Sequence, residues 1–179
     1  EAMSQIKVFD IGAEAFPPAL YEKIRLVNQD AYIMNGYGPT ETTISCTMKV
    51  ITDSQKITIG APNGNVKVFI VDKENHILPD GETGELVIAG LGVGRGYVNL
   101  PEKTAAAFIE LNGKRAYKTG DLAKINSDNE IEFFGRMYNQ IKLRGLRIEL
   151  GEIEEVINSF DGILTSITIP VDNQYLCCY

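Results

Sequence analysis

The first 34 residues contain a strand, a helix and a second strand that are joined by short connections. Residues 5–11 are rich in Ile, Val and Phe, Pro17-Pro18 opens a helix over about residues 19–27, and residues 32–34 form another apolar run. This order predicts parallel pairing in an α/β sheet. In the predicted helix, Leu20, Ile24 and Val27 share one face.

Polar and glycine-containing segments follow both predicted strands. Residues 12–14 come after the first strand and residues 36–41 after the second. Ligands of open α/β sheets bind at the carboxyl ends of the strands, so we expect both segments to face one crevice.

From residue 57 to residue 134 the pattern changes to many short strands. Residues 66–71 and 85–89 are β-rich, and residues 117–125 and 130–134 read as the two arms of a hairpin. A single helix over residues 101–108 interrupts them, with Pro at its first turn. The pattern predicts a small barrel or a curled antiparallel sheet.

The third region begins near residue 138. Residues 140–143 predict a strand, and residues 163–171 and 175–179 predict two more. Residues 151–160 predict a helix whose core-facing side chains are Ile153, Val156, Ile157 and Phe160. The predicted fold class is therefore mixed α/β and α+β. It comprises the end of an α/β subdomain (residues 1–56), a distorted β-barrel subdomain (57–137) and the start of a small C-terminal α+β domain (138–179).

The net charge and the lack of long apolar stretches limit the kinds of partner that the protein is expected to bind. The chain carries a formal charge of −7, which argues against general nucleic-acid binding. It has no apolar stretch of membrane-spanning length and no basic-then-apolar leader, so we expect a cytoplasmic protein that does not bind membranes. Residues 136–147 are locally basic, which favours a small anionic ligand; the alternative is a solvated charged face.

A tight turn from Tyr37 to Glu41 places three kinds of chemistry side by side. Gly38-Pro39 fixes the turn, so that the Tyr37 ring, the Thr40 hydroxyl and the Glu41 carboxylate can face one ligand. A ring for a base, a hydroxyl for a phosphate and a carboxylate for Mg²⁺ make a consistent nucleotide site. The alternative is a simple loop with a packed tyrosine.

Two further segments bear on nucleotide binding. Asp121 follows Gly120 on a predicted strand, where its carboxylate can accept hydrogen bonds from ribose hydroxyls; the alternative is a turn aspartate that binds its own backbone. Residues 90–97 are glycine-rich but lack the Lys-Ser/Thr pair and the following helix of a phosphate loop. We interpret this run as a crossing where backbones approach closely.

Five segments in order resemble the core motifs of the adenylate-forming superfamily, most closely the adenylation domains of nonribosomal peptide synthetases. They span nearly the whole chain: residues 12–14, 35–41, 84–97, 117–122 and 135–154. The resemblance implies a nucleotide-binding set bordering adenine, ribose and phosphates. Its members are Gly12, Ala13, Glu14, Asn35, Gly36, Tyr37, Gly38, Thr40, Asp121, Phe133 and Arg136.

The resemblance also implies roles in the reaction. Thr40, Glu41 and Arg136 form the predicted catalytic set, and Glu41 holds Mg²⁺. Tyr138 falls at the domain hinge, where the family usually has Asp or Lys, and Gly145 lines the tunnel for the thiol. The predicted substrate pocket is lined by Phe9, Ile11, Gly36, Ile44 and Ser45.

The implied activity is ATP-dependent activation of an amino acid as aminoacyl-AMP. The acyl group is then loaded onto the phosphopantetheine thiol of a peptidyl carrier domain, expected in the same polypeptide. The family's phosphate loop is expected before Glu1 and its catalytic lysine beyond Tyr179. The sequence is therefore interpreted as an internal fragment that does not turn over alone.

Two alternatives remain open at this point. A stand-alone acyl-CoA ligase or D-alanine–carrier-protein ligase shares the same chemistry, although residues 95–104 favour the synthetase group. A non-catalytic module that binds a nucleotide or a protein is the alternative from another class.

Overall fold

The computed structural model describes residues 2–137, 140–143, 146–172 and 174–179. The chain divides into two compact units, Glu1–Gly135 and Arg136–Tyr179. Each unit is described by itself below.

The first unit opens with a four-stranded sheet that carries one helix. β1 pairs with β2 in parallel, and β2, β3 and β4 then pair antiparallel in that order. β1 and β2 run in the same direction because the helix between them returns the chain to the end of the sheet at which β1 began. The elements are β1 (Val8–Gly12), α1 (Pro18–Val27), β2 (Tyr32–Tyr37), β3 (Thr47–Val50) and β4 (Ala61–Pro62).

One core cluster lies between this sheet and α1. Phe16, Ile24, Ile33 and Ile51 are buried there. The predicted strand–helix–strand order is confirmed. Of the three apolar residues predicted to share one face of the helix, Ile24 is buried, whereas Val27, the last residue of α1, is 50% exposed.

The rest of the first unit is a five-stranded sheet. The strands lie in the order β5, β6, β8, β7, and β9 also pairs with β8. The 12 residues of β8 thus contact three neighbouring strands. A register shift opposite Glu85 and Val87 leaves extra residues in β8 between Lys118 and Leu122. The elements are β5 (Val66–Val71), β6 (Gly84–Gly90), α2 (Pro101–Ala107), β7 (Phe108–Leu111), β8 (Lys114–Ile125) and β9 (Ile131–Arg136).

Apolar clusters form on both faces of this sheet. Leu86, Ile88 and Ile131 are buried in one cluster, and Val87 and Ala89 in the other. Successive residues of β6 point to opposite faces, so a strand buried on both sides reads as a continuous apolar run. The predicted β8–β9 hairpin is confirmed, with Asn129 at φ 58° in its turn.

In its described residues, the second unit contains two antiparallel strand pairs and one helix. β10 pairs antiparallel with β11, and β12 with β13. The Glu154 carboxylate accepts the Thr168 N–H at 2.6 Å, which joins the helix to β12. The elements are β10 (Gln140–Leu143), β11 (Leu146–Glu149), α3 (Leu150–Asn158), β12 (Thr168–Val171) and β13 (Tyr175–Cys178).

Two predictions for the second unit are wrong in part. Phe160 is 64% exposed because α3 ends at Asn158, so helical periodicity no longer sets its direction. Val156 is 61% exposed at the rim of a groove, while Ile153 and Ile157 are half-buried and Leu150 is buried. The strand predicted over residues 163–171 is confined to Thr168–Val171.

None of the helices in the described parts of the chain is long and apolar enough to cross a membrane.

Candidate functional site

The carboxyl ends of β1 and β2 meet at a point that has no room for side chains. Gly12 and Gly36 are paired across the two strands. A Cβ added at Gly12 would lie 2.6 Å from the Gly36 carbonyl oxygen, so the two backbones are in direct contact. Ala13 follows with φ 70°, in the left-handed region that few side chains adopt. Residues Gly12, Ala13 and Glu14 are exposed, and the predicted adenine border therefore forms an open edge.

Asn35 lies beside this edge but faces inward. It is 4% exposed, and its side-chain amide donates to the Thr58 carbonyl oxygen at 2.8 Å. This bond ties β2 to the segment before β4. The contact of Asn35 with a base stays a prediction.

The turn after β2 is folded back on itself. The Cys46 N–H donates to the Tyr37 carbonyl at 2.8 Å, and the Ile44 N–H donates to the Pro39 carbonyl at 3.3 Å. Gly38 lies under this return, where its missing Cβ leaves space for the Ile44 carbonyl. The turn is thereby fixed, and Thr40, which opens the 3-10 turn Thr40–Thr42, is exposed.

Two other residues of the predicted nucleotide set, Asp121 and Phe133, contact Tyr37. The Tyr37 hydroxyl donates to Asp121 Oδ2, although 84 residues separate them. The Tyr37 ring lies 5.9 Å from the Phe133 ring, centroid to centroid, at 43° between the planes. This gives an aromatic pair beside a carboxylate, where the last residue of β2 meets interior residues of β8 and β9.

Local hydrogen bonds fix the strand that carries Asp121. The Asp121 N–H donates to Thr119 Oγ1 at 3.0 Å, and the Thr119 hydroxyl donates to the Leu86 carbonyl at 2.7 Å. The Gly120 N–H donates to the Glu85 carboxylate at 3.0 Å, and Lys118 pairs with that carboxylate at 3.2 Å. Asp121 is 2% exposed, so its orientation is set by the fold.

Glu41 is held by a residue that sequence reasoning did not select. The Tyr97 hydroxyl donates to Glu41 Oε1 at 2.7 Å and lies 3.4 Å from the Tyr117 hydroxyl. Burial, the hydrogen bond with Tyr117 and the Glu41 carboxylate raise the pKa of Tyr97 above its usual range. The only signal in the sequence was the position of Tyr97 at the end of the glycine-rich run.

The glycine-rich run is a close crossing of backbones, as predicted. The Gly94 N–H donates to the Glu41 carbonyl at 2.7 Å, and the Thr43 hydroxyl donates to the Gly92 carbonyl at 2.7 Å. A Cβ at Gly92 would lie 2.8 Å from the Thr42 carbonyl oxygen. The run therefore supports the segment that contains Glu41.

The predicted substrate-pocket residues have different surroundings. Phe9 and Ile11 are half-buried and pack against the core cluster beside α1. Ile44 is 71% exposed, and Ser45 is also exposed. The Ile44 backbone has φ 72°. Their gathering around one substrate stays a prediction.

The remaining predicted residues belong to the second unit or fall outside the described chain. Arg136 is half-buried and is the first residue of the second unit. Tyr138, predicted to lie at the hinge, and Gly145, predicted to line the thiol tunnel, lie outside the described residues. Within the described residues, no group of three or more His, Cys, Asp or Glu side chains is arranged to hold a metal.

Comparisons with known proteins agree with the motif order. A family model described as AMP-binding enzyme matches residues 1–98. Tyrocidine synthase 3 of Brevibacillus parabrevis is 42% identical to the chain over 185 residues, which cover 98% of the chain and 3% of that protein.

Two solved structures share the fold along almost the whole chain. Holo-PA1221, an NRPS protein containing adenylation and PCP domains bound to a vinylsulfonamide inhibitor, has a TM-score of 0.86 and 29% identity, covering 96% of this chain and 32% of that chain. The Vibrio cholerae adenylation domain AlmE, in complex with glycyl-adenosine-5'-phosphate, has a TM-score of 0.85 and 25% identity, covering 98% of this chain and 36% of that chain. The predicted mixed α/β fold class is confirmed, and the chain spans about a third of each structure.

Proposed function

The chain belongs to the AMP-binding enzyme family, and from this membership we propose that it is part of an ATP-dependent adenylation domain. The domain activates an amino acid as aminoacyl-AMP and loads it onto the phosphopantetheine thiol of a carrier domain. Its relative tyrocidine synthase 3 and the adenylation–PCP protein support this assignment over a stand-alone ligase. Because the chain spans only a part of these proteins, we propose that the complete site includes residues of a longer polypeptide.

The observation that carries the proposal is the cluster of Tyr37, Asp121 and Phe133. We propose that the buried Asp121 carboxylate accepts hydrogen bonds from the ribose hydroxyls and that the Tyr37 ring stacks on adenine. The Tyr37 hydroxyl already donates to Asp121, so one hydrogen bond orients both groups. The edge formed by the exposed Gly12 and the half-buried Gly36 supports this reading, since the absence of side chains lets a planar base approach the backbone.

The donor set around Glu41 fits a magnesium ion that arrives with the nucleotide. Mg²⁺ is commonly held by one or two carboxylates together with substrate phosphates and waters. Glu41 supplies one such carboxylate, and the described residues form no larger group of ligands around it that could hold a resident metal. When bound, the ion offsets negative charge on the phosphates during transfer.

The proposed reaction has two transfers. A carboxylate oxygen of the amino acid bonds to the α-phosphorus of ATP, and the bond to pyrophosphate breaks. A thiolate sulfur of the carrier then attacks the acyl carbon, and AMP leaves. In this scheme Asp121 and Tyr37 bind and orient the nucleoside, and Thr40 contacts the phosphates. Glu41 would hold the magnesium ion that accompanies the phosphates, and the predicted phosphate contact of Arg136 stays a prediction.

The experiment that tests the proposal is ATP–pyrophosphate exchange by the polypeptide that contains this chain, over a panel of amino acids. Exchange that depends on one amino acid supports the proposal and identifies the substrate. Exchange with only fatty or aryl acids would assign the protein to the acyl ligases. The absence of exchange with either panel would contradict an adenylating function.

Asp121→Ala provides the test of the nucleotide site. Loss of hydrogen bonds to a charged acceptor costs about 1.5–3 kcal/mol each, so the loss of two should lower ATP affinity by at least about 100-fold. The matched control is Asp128→Ala, which removes an exposed carboxylate in the turn between β8 and β9. If calorimetry gave the same ATP affinity for Asp121→Ala as for the parent, the ribose assignment would be wrong.

A further inference from the structure

Tyr97 is held rigidly on the side away from its hydroxyl. Its ring packs edge-on against Phe108, with centroids 5.5 Å apart and 72° between the planes. Its N–H donates to Thr104 Oγ1 at 2.9 Å. The preceding Gly96 has φ 134°, and a Cβ there would lie 2.4 Å from Thr104 Cγ2. The helix α2 and the strand β7 thus fix the ring before any contact with Glu41 is considered.

The loop that carries Tyr97 binds Glu41 twice. Gly94 donates to the Glu41 main-chain carbonyl, and Tyr97 donates to the Glu41 carboxylate, both at 2.7 Å. Arg115 holds this loop from the other side by donating to the Gly94 carbonyl at 2.9 Å and the Arg95 carbonyl at 2.6 Å. Main chain and side chain of Glu41 are therefore positioned by one segment.

A tyrosine is well suited to orient a carboxylate. Its ring has two side-chain torsions, and both are restricted here by packing, whereas an unrestrained glutamate loses rotamer freedom when it binds a ligand. A hydroxyl that is already bonded to Oε1 removes much of this cost in advance. A hydrogen bond to a charged acceptor is also stronger than one between neutral groups.

We infer that Tyr97 is a positioning residue for Glu41, and that its hydroxyl holds the carboxylate in the orientation that receives magnesium together with the nucleotide phosphates. The inference rests on the proposed function. Tyr97 acts through Glu41 and needs no contact of its own with ATP. The role of Tyr97 is therefore separable from nucleotide affinity measured without metal.

The test uses the polypeptide that contains this chain and a non-hydrolysable ATP analogue. Calorimetry gives the affinity for the analogue in chelator and at a series of Mg²⁺ concentrations. For Tyr97→Phe we expect about a tenfold loss of the affinity gained from Mg²⁺, with unchanged affinity in chelator. The phenylalanine keeps the ring that packs on Phe108, and a melting curve verifies its fold.

Two further variants make the result specific. Tyr21→Phe is the matched control, because it also removes one hydroxyl hydrogen bond, to the Thr52 carbonyl at 2.6 Å, on another part of the first unit. It should leave both affinities unchanged. In a Glu41→Gln background, adding Tyr97→Phe should cause little further loss, since the two residues act as one pair.

The outcomes separate the inference from the proposed function. A parent protein that binds no nucleotide overturns the proposed function and the inference with it. Parent-like Mg²⁺ dependence in Tyr97→Phe overturns the inference alone. Equal losses with and without Mg²⁺, or full additivity with Glu41→Gln, also overturn it, because each would show a structural effect that does not act through the metal ligand.

Discussion

Replacing Gly38 with alanine should destabilise the first unit strongly. The φ angle of Gly38 lies outside the left-handed region, so backbone strain is not the cause. The reason is contact rather than strain. The added Cβ would lie 1.8 Å from the Ile44 carbonyl oxygen, 2.7 Å from its carbon and 2.8 Å from the Cys46 nitrogen. All three atoms belong to backbone, so no flexible side chain can move aside.

The size of the effect follows from the displacement required. The Ile44 carbonyl would have to move by at least about 1.2 Å to reach 3.0 Å, the shortest separation that real Cβ atoms show. That carbonyl belongs to a turn fixed by the Cys46–Tyr37 and Ile44–Pro39 hydrogen bonds. Overpacking of this kind costs about 1–3 kcal/mol. Because the backbone here cannot move aside easily, we expect the free energy of unfolding to fall by about 3 kcal/mol.

Differential scanning calorimetry measures the loss. For a domain of this size, about 3 kcal/mol lowers Tm by roughly 6–12 °C. The matched control is Gly64→Ala, where an added Cβ meets nothing within 4 Å, and where the smaller unfolded-state entropy should leave stability equal or up to about 1 kcal/mol higher. A Gly38→Ala protein that melts with the parent and binds ATP with equal affinity would refute the steric argument.

Two other substitutions test how the first unit is held together. Arg115→Lys should lower the free energy of unfolding by about 1 kcal/mol, measured by urea denaturation, since a lysine replaces the fork that donates to Gly94 and Arg95 and stacks on Phe108; an unchanged midpoint would contradict the role of the fork. Glu132→Gln should lower Tm at pH 7 and by a smaller amount at about pH 3, because the hydrogen bond from Lys124, and a weaker one from Asn126, lower the pKa of Glu132. A carboxyl group whose pKa is lowered by folding stabilises the protein fully at a pH above its unfolded-state pKa. This stabilisation is lost as the pH falls through the folded-state pKa. An equal Tm difference at both pH values would therefore exclude this cause.

Periodicity and turn chemistry were sufficient to predict most elements of the fold. The strand Val66–Val71 and the strand Gln140–Leu143 have the predicted bounds. The first is a run of apolar and β-branched residues that ends at Asp72, a residue typical of turns. Prediction failed where a pattern was extended past the end of an element, as at Phe160, which lies beyond the end of α3 at Asn158. Phe160 continues the apolar periodicity in the sequence, but the helix that would direct its side chain toward the core has already ended.

The candidate site was predictable to the extent that its residues lie in short motifs. Tyr37 and Glu41 were found because a Gly-Pro turn displays them, and the structure also brings Asp121 and Phe133 to Tyr37. Tyr97 was missed, because its contact with Glu41 joins residues 56 positions apart. No local pattern encodes such a pair; it appears only when the glycine-rich run has crossed the turn.

The two carboxylates with predicted ligand roles, Asp121 and Glu41, are held in the same way, each by a tyrosine hydroxyl. Asp121 accepts a hydrogen bond from Tyr37, and Glu41 accepts one from Tyr97. Each tyrosine ring is in turn packed against a phenylalanine, Phe133 and Phe108. A buried hydroxyl needs a partner, and an ionised carboxylate is a strong acceptor, so each pair satisfies both groups while fixing the carboxylate. Because the rings are anchored by aromatic packing, orientation of both carboxylates is settled on folding rather than on ligand binding. The proposed roles therefore imply that the nucleotide meets both carboxylates in the orientation in which they bind it.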